Sequence, residues 1–192
     1  MNIKIKIKSG LLKKKYILIE NLYNIKPTKD IVKKTIISYI KNFKNINTLD
    51  LFSGTGKICF ELFSIGSKKL ILIEHKNDIV KTIKENIKNL IHIKDFFVYH
   101  NDSYIWLTNI NFLNISFVIF DPPYNFKKYE EYFFLINKIK ILKKFLILII
   151  EVNKKDVIET LPLNFFIIKK KKNRTNYNIY NKKNIKKCIK YF

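Results

Sequence analysis

The sequence predicts an α/β fold: five parallel strands in an open sheet, a carboxyl-terminal antiparallel hairpin, and a small basic β extension at the amino terminus. Three observations carry this expectation. Short apolar runs at Leu49–Phe52, Lys69–Glu74, Phe96–Tyr99, Phe117–Phe120 and Phe145–Ile150 alternate with stretches of helical period. Gly54 and Gly56, two of only 4 glycines, stand together directly after the first of these runs. Asp50, Glu74 and Asp121 all sit at the carboxyl ends of predicted strands, in a chain with 15 acidic and 38 basic residues. Open α/β sheets bind ligands at that edge.

The 192 residues suffice for one compact domain, read as residues 25–192, with an appendage over residues 1–24. No apolar run approaches a membrane span, and the alternating start has no signal-peptide core. A cytosolic monomer without membrane contact is the expectation. Cys59 and Cys188 make neither a disulfide framework nor a metal site, and His75, His92 and His100 lack metal-ligand spacing. No metal is expected. The net charge of +23 favours a polyanion partner. Part of it has a compositional origin, because Lys, Asn, Ile, Phe and Tyr have AT-rich codons.

Residues 3–8 alternate Ile and Lys, the period of a half-exposed strand; Tyr16–Ile19 returns after Ser9-Gly10 and the cluster Lys13-Lys14-Lys15. This hairpin is either a basic arm for nucleic acid or a sheet edge kept soluble by lysines. Pro27-Thr28 opens a helix to about Phe43, with Thr28 as N-cap and Asp30 in the first turn. After the strand at Leu49–Phe52, Ser53–Gly56 is a tight loop and Lys57–Ile65 a helix. The two glycines let backbone approach a ligand, and Cys59 is small enough for close helix packing. Neither a P-loop Lys-Ser/Thr nor the third glycine of a dinucleotide fingerprint follows. Asp50 beside the loop suits a cationic ligand better than a phosphate.

Glu74 lies roughly 20 residues past the glycine loop, the spacing at which an acid binds ribose hydroxyls. A helix over Asn77–Leu90 leads to the strand at Phe96–Tyr99, and Asp102 at its edge can accept a hydrogen bond from an adenine amino group. Trp106 reads as core. Phe117–Phe120 is a strand buried on both faces, stopped by Pro122 and Pro123. The prolines hold Asp121 and Tyr124 stiffly at its end. A helix over Glu130–Ile141, a strand over Phe145–Ile150 ending at Glu151, and a closing hairpin at Leu163–Ile168 and Asn176–Tyr180 complete the chain. The basic run Lys169–Arg174 between the hairpin strands is either an RNA contact or a solvated turn.

The glycine loop, the following acid and Asp121-Pro-Pro-Tyr124, in that order, resemble a class I S-adenosylmethionine-dependent methyltransferase with a Rossmann-like sheet. In detail the chain resembles the RsmD-type family, which methylates the exocyclic N2 of a guanine in small-subunit (16S) ribosomal RNA. The matching segments are Ser9–Lys15, Lys26–Asp30, Asp50–Gly56, Glu74, Asn101–Ser103, Asp121–Tyr124, Ile150-Glu151 and Tyr177–Tyr180. The resemblance implies that Asp50, Phe52, Ser53, Gly54, Gly56, Glu74, His75, Asp102 and Ser103 surround S-adenosylmethionine. It implies that Asp121, Pro122, Pro123 and Tyr124 handle the target base. It implies that Lys8, Lys13, Lys14, Lys15, Thr28 and Lys29 meet ribosomal RNA, free or in the assembled small subunit.

The chemistry needs such residues. An exocyclic amine is a poor nucleophile because its lone pair is delocalised into the ring. An Asp121 carboxylate oxygen and the Pro122 carbonyl can accept its two N–H bonds and aim the lone pair. Tyr124 would stack on an unpaired or flipped base. Two alternatives stay open: a DNA adenine-N6 or cytosine-N4 methyltransferase, and an RNA-binding assembly factor with a vestigial pocket. No segment is large enough for a separate DNA target-recognition domain, and the intact motifs speak against decay.

Overall fold

The computed structural model describes residues 3–19, 45–90, 95–110, 115–123, 126–138, 148–149, 166–170 and 177–181. The strands are β1 (Ile3–Lys6), β2 (Tyr16–Ile19), β3 (Asn47–Asp50), β4 (Lys69–Glu74), β5 (Phe96–His100), β6 (Phe117–Ile119), β7 (Leu148–Ile149), β8 (Phe166–Lys170) and β9 (Tyr177–Asn181). The helices are α1 (Lys57–Ser64), α2 (Asn77–Leu90), α3 (Ser103–Thr108) and α4 (Tyr129–Lys138). β4 and α2 have the predicted bounds. The predicted helix through Phe43, with Thr28 and Lys29, lies outside the described residues, as do His92, Tyr124 and Glu151.

The central sheet has the order β5-β4-β3-β6-β7 with every pairing parallel, and β8-β9 is a separate antiparallel pair. Strand alternation sorts the core into two clusters. Leu70 and Leu72 face Ile58, Phe60 and Ile83 of α1 and α2, joined by Phe117 and Ile119 of β6. Ile71 and Ile73 face the opposite way, with Val118 and Phe120, onto Trp106 and Leu107 of α3 and Tyr132, Phe133 and Ile136 of α4. A sheet covered on both faces needs apolar residues at successive positions, and Leu70–Ile73 supply them. Trp106 is core, as its sequence context suggested.

β3 ends two residues earlier than the apolar run implied. Phe52 and Ser53 already belong to the turn, with Ser53 Oγ donating to the carbonyls of Asp50 (3.2 Å) and Ile73 (3.1 Å). Short polar side chains that bond nearby backbone favour turns over ladders. α4 begins at Tyr129, one residue before the predicted start, and β8 and β9 are shifted a few residues along the chain.

The β1-β2 hairpin packs on the α1/α2 face, where Ile7, Leu12 and Ile17 join the core cluster of those helices. Its loop is bonded to the end of α1. The Leu11 N–H donates to the Ser64 carbonyl (2.7 Å) and the Leu12 N–H to Ser64 Oγ (2.8 Å). The Lys8 N–H meets both Glu61 carboxylate oxygens at 3.3 and 3.4 Å. In α2, the Asn86 amide acts as an extra rung of ladder for β2, accepting from the Leu18 N–H (2.8 Å) and donating to its carbonyl (2.7 Å). Gly10 is required at the tip: its φ is 72°, and a Cβ there would lie 1.8 Å from the Ser64 carbonyl oxygen.

Candidate active site

The strand order reverses between β3 and β6, which places Asp50 and Asp121 at the carboxyl ends of neighbouring parallel strands. The Leu51 N–H still donates to the Ile119 carbonyl (3.1 Å), so the two chains part only beyond that point. A crevice at such a switch point is the ligand site of open α/β sheets.

Asp50 is 2% exposed. Its carboxylate accepts from the Phe52 N–H (3.2 Å) and from Cys59 Sγ (3.4 Å). Burial pushes its pKa up to about 7 against these two bonds, and the nearby charges of Asp121 and Glu74 push the same way. The Cys59 thiol is itself pushed up by burial and by Asp50. The role of Cys59 is thus to satisfy Asp50 as well as to let α1 pack closely, a contact its spacing did not advertise.

Glu74, buried at the end of β4, reaches back to the glycine turn. Its Oε2 accepts from the Gly54 N–H at 2.9 Å and its Oε1 from the Lys76 N–H at 2.9 Å. His75 Nδ1 lies 3.2 Å from Oε1 on a mostly exposed ring. Gly54 and Gly56 both have positive φ, 50° and 68°. A Cβ on Gly56 would lie 3.3 Å from the Leu72 side chain, a tight contact at a position whose positive φ already favours glycine.

Asp102 is the N-cap of α3, its Oδ1 accepting from the N–H groups of Tyr104 (2.8 Å) and Ile105 (3.1 Å). Ser103 turns inward, its Oγ 2.8 Å from the hydroxyl of Tyr132 on α4. Burial raises the Tyr132 pKa, and the Ser103 bond opposes that shift. Beyond β6, Asp121 is half-buried, Pro122 buried and Pro123 exposed. The Phe126 N–H donates to the Pro123 carbonyl (3.1 Å).

Aromatic rings line the floor. Phe52 lies 5.3 Å from Phe120 and 5.4 Å from Phe126, both edge-on. Tyr132 lies within 5.6 Å of all three. Phe126 and Tyr132 carried no signal in the sequence beyond helical spacing and aromatic content.

Among the described residues no group of side chains could hold a metal ion, and no helix is long and apolar enough to cross a membrane. The donor set suits another ligand. Three carboxylates, at least two of them buried, beside a half-buried glycine turn fit a cation that also carries hydroxyl groups, and S-adenosylmethionine is such a molecule.

This fold is that of a class I methyltransferase. The chain matches residues 5–181 to the family model described as Conserved hypothetical protein 95. It belongs to that family, the RsmD-type methyltransferases. It is 30% identical over 171 residues to Ribosomal RNA small subunit methyltransferase D of Buchnera aphidicola subsp. Acyrthosiphon pisum, covering 88% of each chain. It is 25% identical to the protein of the same name from Haemophilus influenzae, over 87% of this chain and 88% of that one. Among solved structures, a Haemophilus influenzae protein described as a candidate methylase superposes with a TM-score of 0.62 at 21% identity, over 90% of this chain and 85% of the other. At that identity the likeness concerns the fold.

The raised pKa of Asp50 has two pH consequences of opposite sign. A bound cation favours the carboxylate, so a cationic cofactor should bind more tightly as pH rises from about 6 to about 8. Stability runs the other way. The folded pKa of about 7 exceeds the ordinary 3.8, so the group's contribution is complete below 3.8 and is lost as pH rises through about 7. Urea titrations at stepped pH should show wild type losing stability relative to Asp50→Asn across that window. A pH-independent difference between the two contradicts the assignment.

Proposed function

We propose that the chain transfers a methyl group from S-adenosylmethionine to the exocyclic N2 of a guanine in small-subunit ribosomal RNA. The observation that carries this reading is the placement of Asp121-Pro122-Pro123 directly beside Asp50, at the switch point of a methyltransferase sheet. The relatives support RNA as the substrate: the Buchnera aphidicola and Haemophilus influenzae proteins are both named ribosomal RNA small subunit methyltransferase D.

In this reading Glu74 holds the cofactor's ribose hydroxyls. An ionised carboxylate offers about four lone-pair sites, so accepting from Gly54 and Lys76 leaves capacity for a hydroxyl. Gly54, Gly56, Phe52 and Ser53 shape the wall against which the cofactor lies, and Asp50 balances its positive charge. Asp102 and His75 border the adenine side. Ser103 contributes through Tyr132, because its hydroxyl points into the fold.

When bound, S-adenosylmethionine supplies an electrophilic methyl group on a sulfonium. The protein's part is to present the amine. Asp121 and the Pro122 carbonyl accept the two N–H bonds, which draws the nitrogen toward tetrahedral geometry and turns its lone pair to the donor. The two prolines fix the acceptors before substrate arrives. Tyr124 stacks on the flipped base.

The exposed side chains of Lys8, Lys13, Lys14 and Lys15 on the hairpin are the proposed RNA-docking surface. Lys14 has a left-handed backbone, with φ 73°. Such a conformation costs a non-glycine residue about 1–2 kcal/mol, a reason to ask what its charge contributes. Reversing charge at Lys13, Lys14 and Lys15 should weaken RNA binding, flatten the log K against log salt slope by about 2, and leave cofactor affinity unchanged. An unaltered salt slope would reduce the hairpin to a solvated edge.

The reading as a whole is tested by incubating the protein with methyl-labelled S-adenosylmethionine and free small-subunit RNA, assembled small subunits, or duplex DNA. Label in a guanine of either RNA substrate supports it. Label in DNA adenine or cytosine replaces it with the DNA reading, and cofactor binding without transfer to any substrate replaces it with a vestigial pocket.

A further inference from the structure

The donor and acceptor sides of the site rise from strands that are not neighbours. β5, which leads through Asp102 into α3, is an edge strand; β6, which leads through Asp121 into α4, lies beyond β4 and β3. Ladder hydrogen bonds therefore do not tie the turn after β5 to the loop after β6. A buried side-chain bond joins the two helices that follow them, α3 and α4. Ser103 Oγ and the Tyr132 hydroxyl lie 2.8 Å apart, and the two residues are 5% and 3% exposed.

Tyr132 also touches every other part of the site floor. Its ring centroid is 5.3 Å from Phe120, the residue before Asp121, and 5.6 Å from Phe52 in the glycine turn. It is 5.1 Å from Phe126, whose N–H closes the loop onto Pro123. Its ring lies in a hydrophobic cluster, so a phenylalanine would fill the same space, while its hydroxyl also meets the Tyr104 backbone. A hydroxyl in such a place must find a partner, and a satisfied buried pair selects one arrangement of the elements that carry it.

We propose that Tyr132 is a positioning residue for methyl transfer, its bond to Ser103 fixing the Asp102–Ser103 turn against the Asp121–Pro123 loop. The inference rests on the reading of those segments as the donor and acceptor sides. In-line transfer tolerates little error: reacting atoms must stand about 3–3.5 Å apart, and a displacement of about 1 Å costs roughly 10²-fold in rate. A link between the two segments is where such an error would be prevented.

Tyr132→Phe keeps the ring and removes the link, and Ser103→Ala removes it from the other end. With cofactor saturating, single-turnover transfer to small-subunit RNA should fall about tenfold or more in each variant. The double variant should be no slower than Tyr132→Phe, since that change alone removes the hydroxyl that both Ser103 and the Tyr104 backbone contact. A second readout needs neither cofactor nor RNA: the Phe126 amide should exchange about tenfold faster in Tyr132→Phe, because the loop it closes is no longer held. Wild-type transfer and wild-type Phe126 exchange, with only a lower melting temperature, would make the bond structural and overturn the proposal. If the unaltered protein methylates no RNA, the functional reading fails by itself and Phe126 exchange still decides the role of Tyr132. Should Tyr132→Phe not fold, Ser103→Ala carries the same comparison.

Discussion

Asp121→Ala should transfer methyl to small-subunit RNA about 10²–10³ times more slowly than wild type in a single turnover, the cost of removing one preorganised hydrogen-bonding group. Its affinity for S-adenosylmethionine should be nearly unchanged. On the proposed mechanism the variant removes one of two acceptors for the amine, and the Pro122 carbonyl remains. Asp121→Asn keeps a carbonyl oxygen in nearly the same place without the charge, so it should retain partial activity. The ordering wild type, Asn, Ala is the signature of an acceptor that orients the amine. Its position at the end of β6, beside the buried Asp50, makes that role geometrically available. An alanine variant that transfers at the wild-type rate removes Asp121 from the mechanism. One that fails to fold makes the residue a structural turn.

Glu74→Ala should weaken S-adenosylmethionine binding by roughly 10- to 150-fold, the equivalent of about 1.5–3 kcal/mol for a charge-assisted hydrogen bond. Two losses act together. The ribose loses an acceptor, and the Gly54 N–H loses the carboxylate that holds the glycine turn at 2.9 Å. Glu74→Gln separates them, because its carbonyl oxygen can still accept from one N–H while the charge is gone. Calorimetric titration should place it between wild type and alanine. Equal affinity in all three proteins would take Glu74 out of the cofactor site.

What the sequence disclosed and what it concealed divide along physical lines. β4 and α2 were legible to the residue, because an apolar run meeting Glu74 and an amphipathic stretch opening at Asn77 are local signals. The clustering of Asp50, Glu74 and Asp121 at one edge of the sheet followed from strand direction alone. The partners of those acids did not. Cys59 under Asp50 depends on how α1 settles on the sheet, and nothing in its spacing marks it as a donor. The bond between Ser103 and Tyr132 joins residues 29 apart on two helices whose packing no periodicity encodes.

The hairpin shows the same limit. Its alternation was readable, but its seat on α1 was not, since Glu61 and Ser64 look like the polar face of an ordinary helix. They are buried because residues more than 50 positions earlier bring backbone N–H groups to bond with them.

We propose that this chain places one methyl group on a guanine N2 of small-subunit RNA. It is tested most directly by mapping modified nucleotides in that RNA from cells with and without the protein. One N2-methylguanosine should disappear without the protein and return on expression of the wild-type chain, but not of the Asp121→Ala chain. An unchanged set of N2-methylguanosines would contradict it.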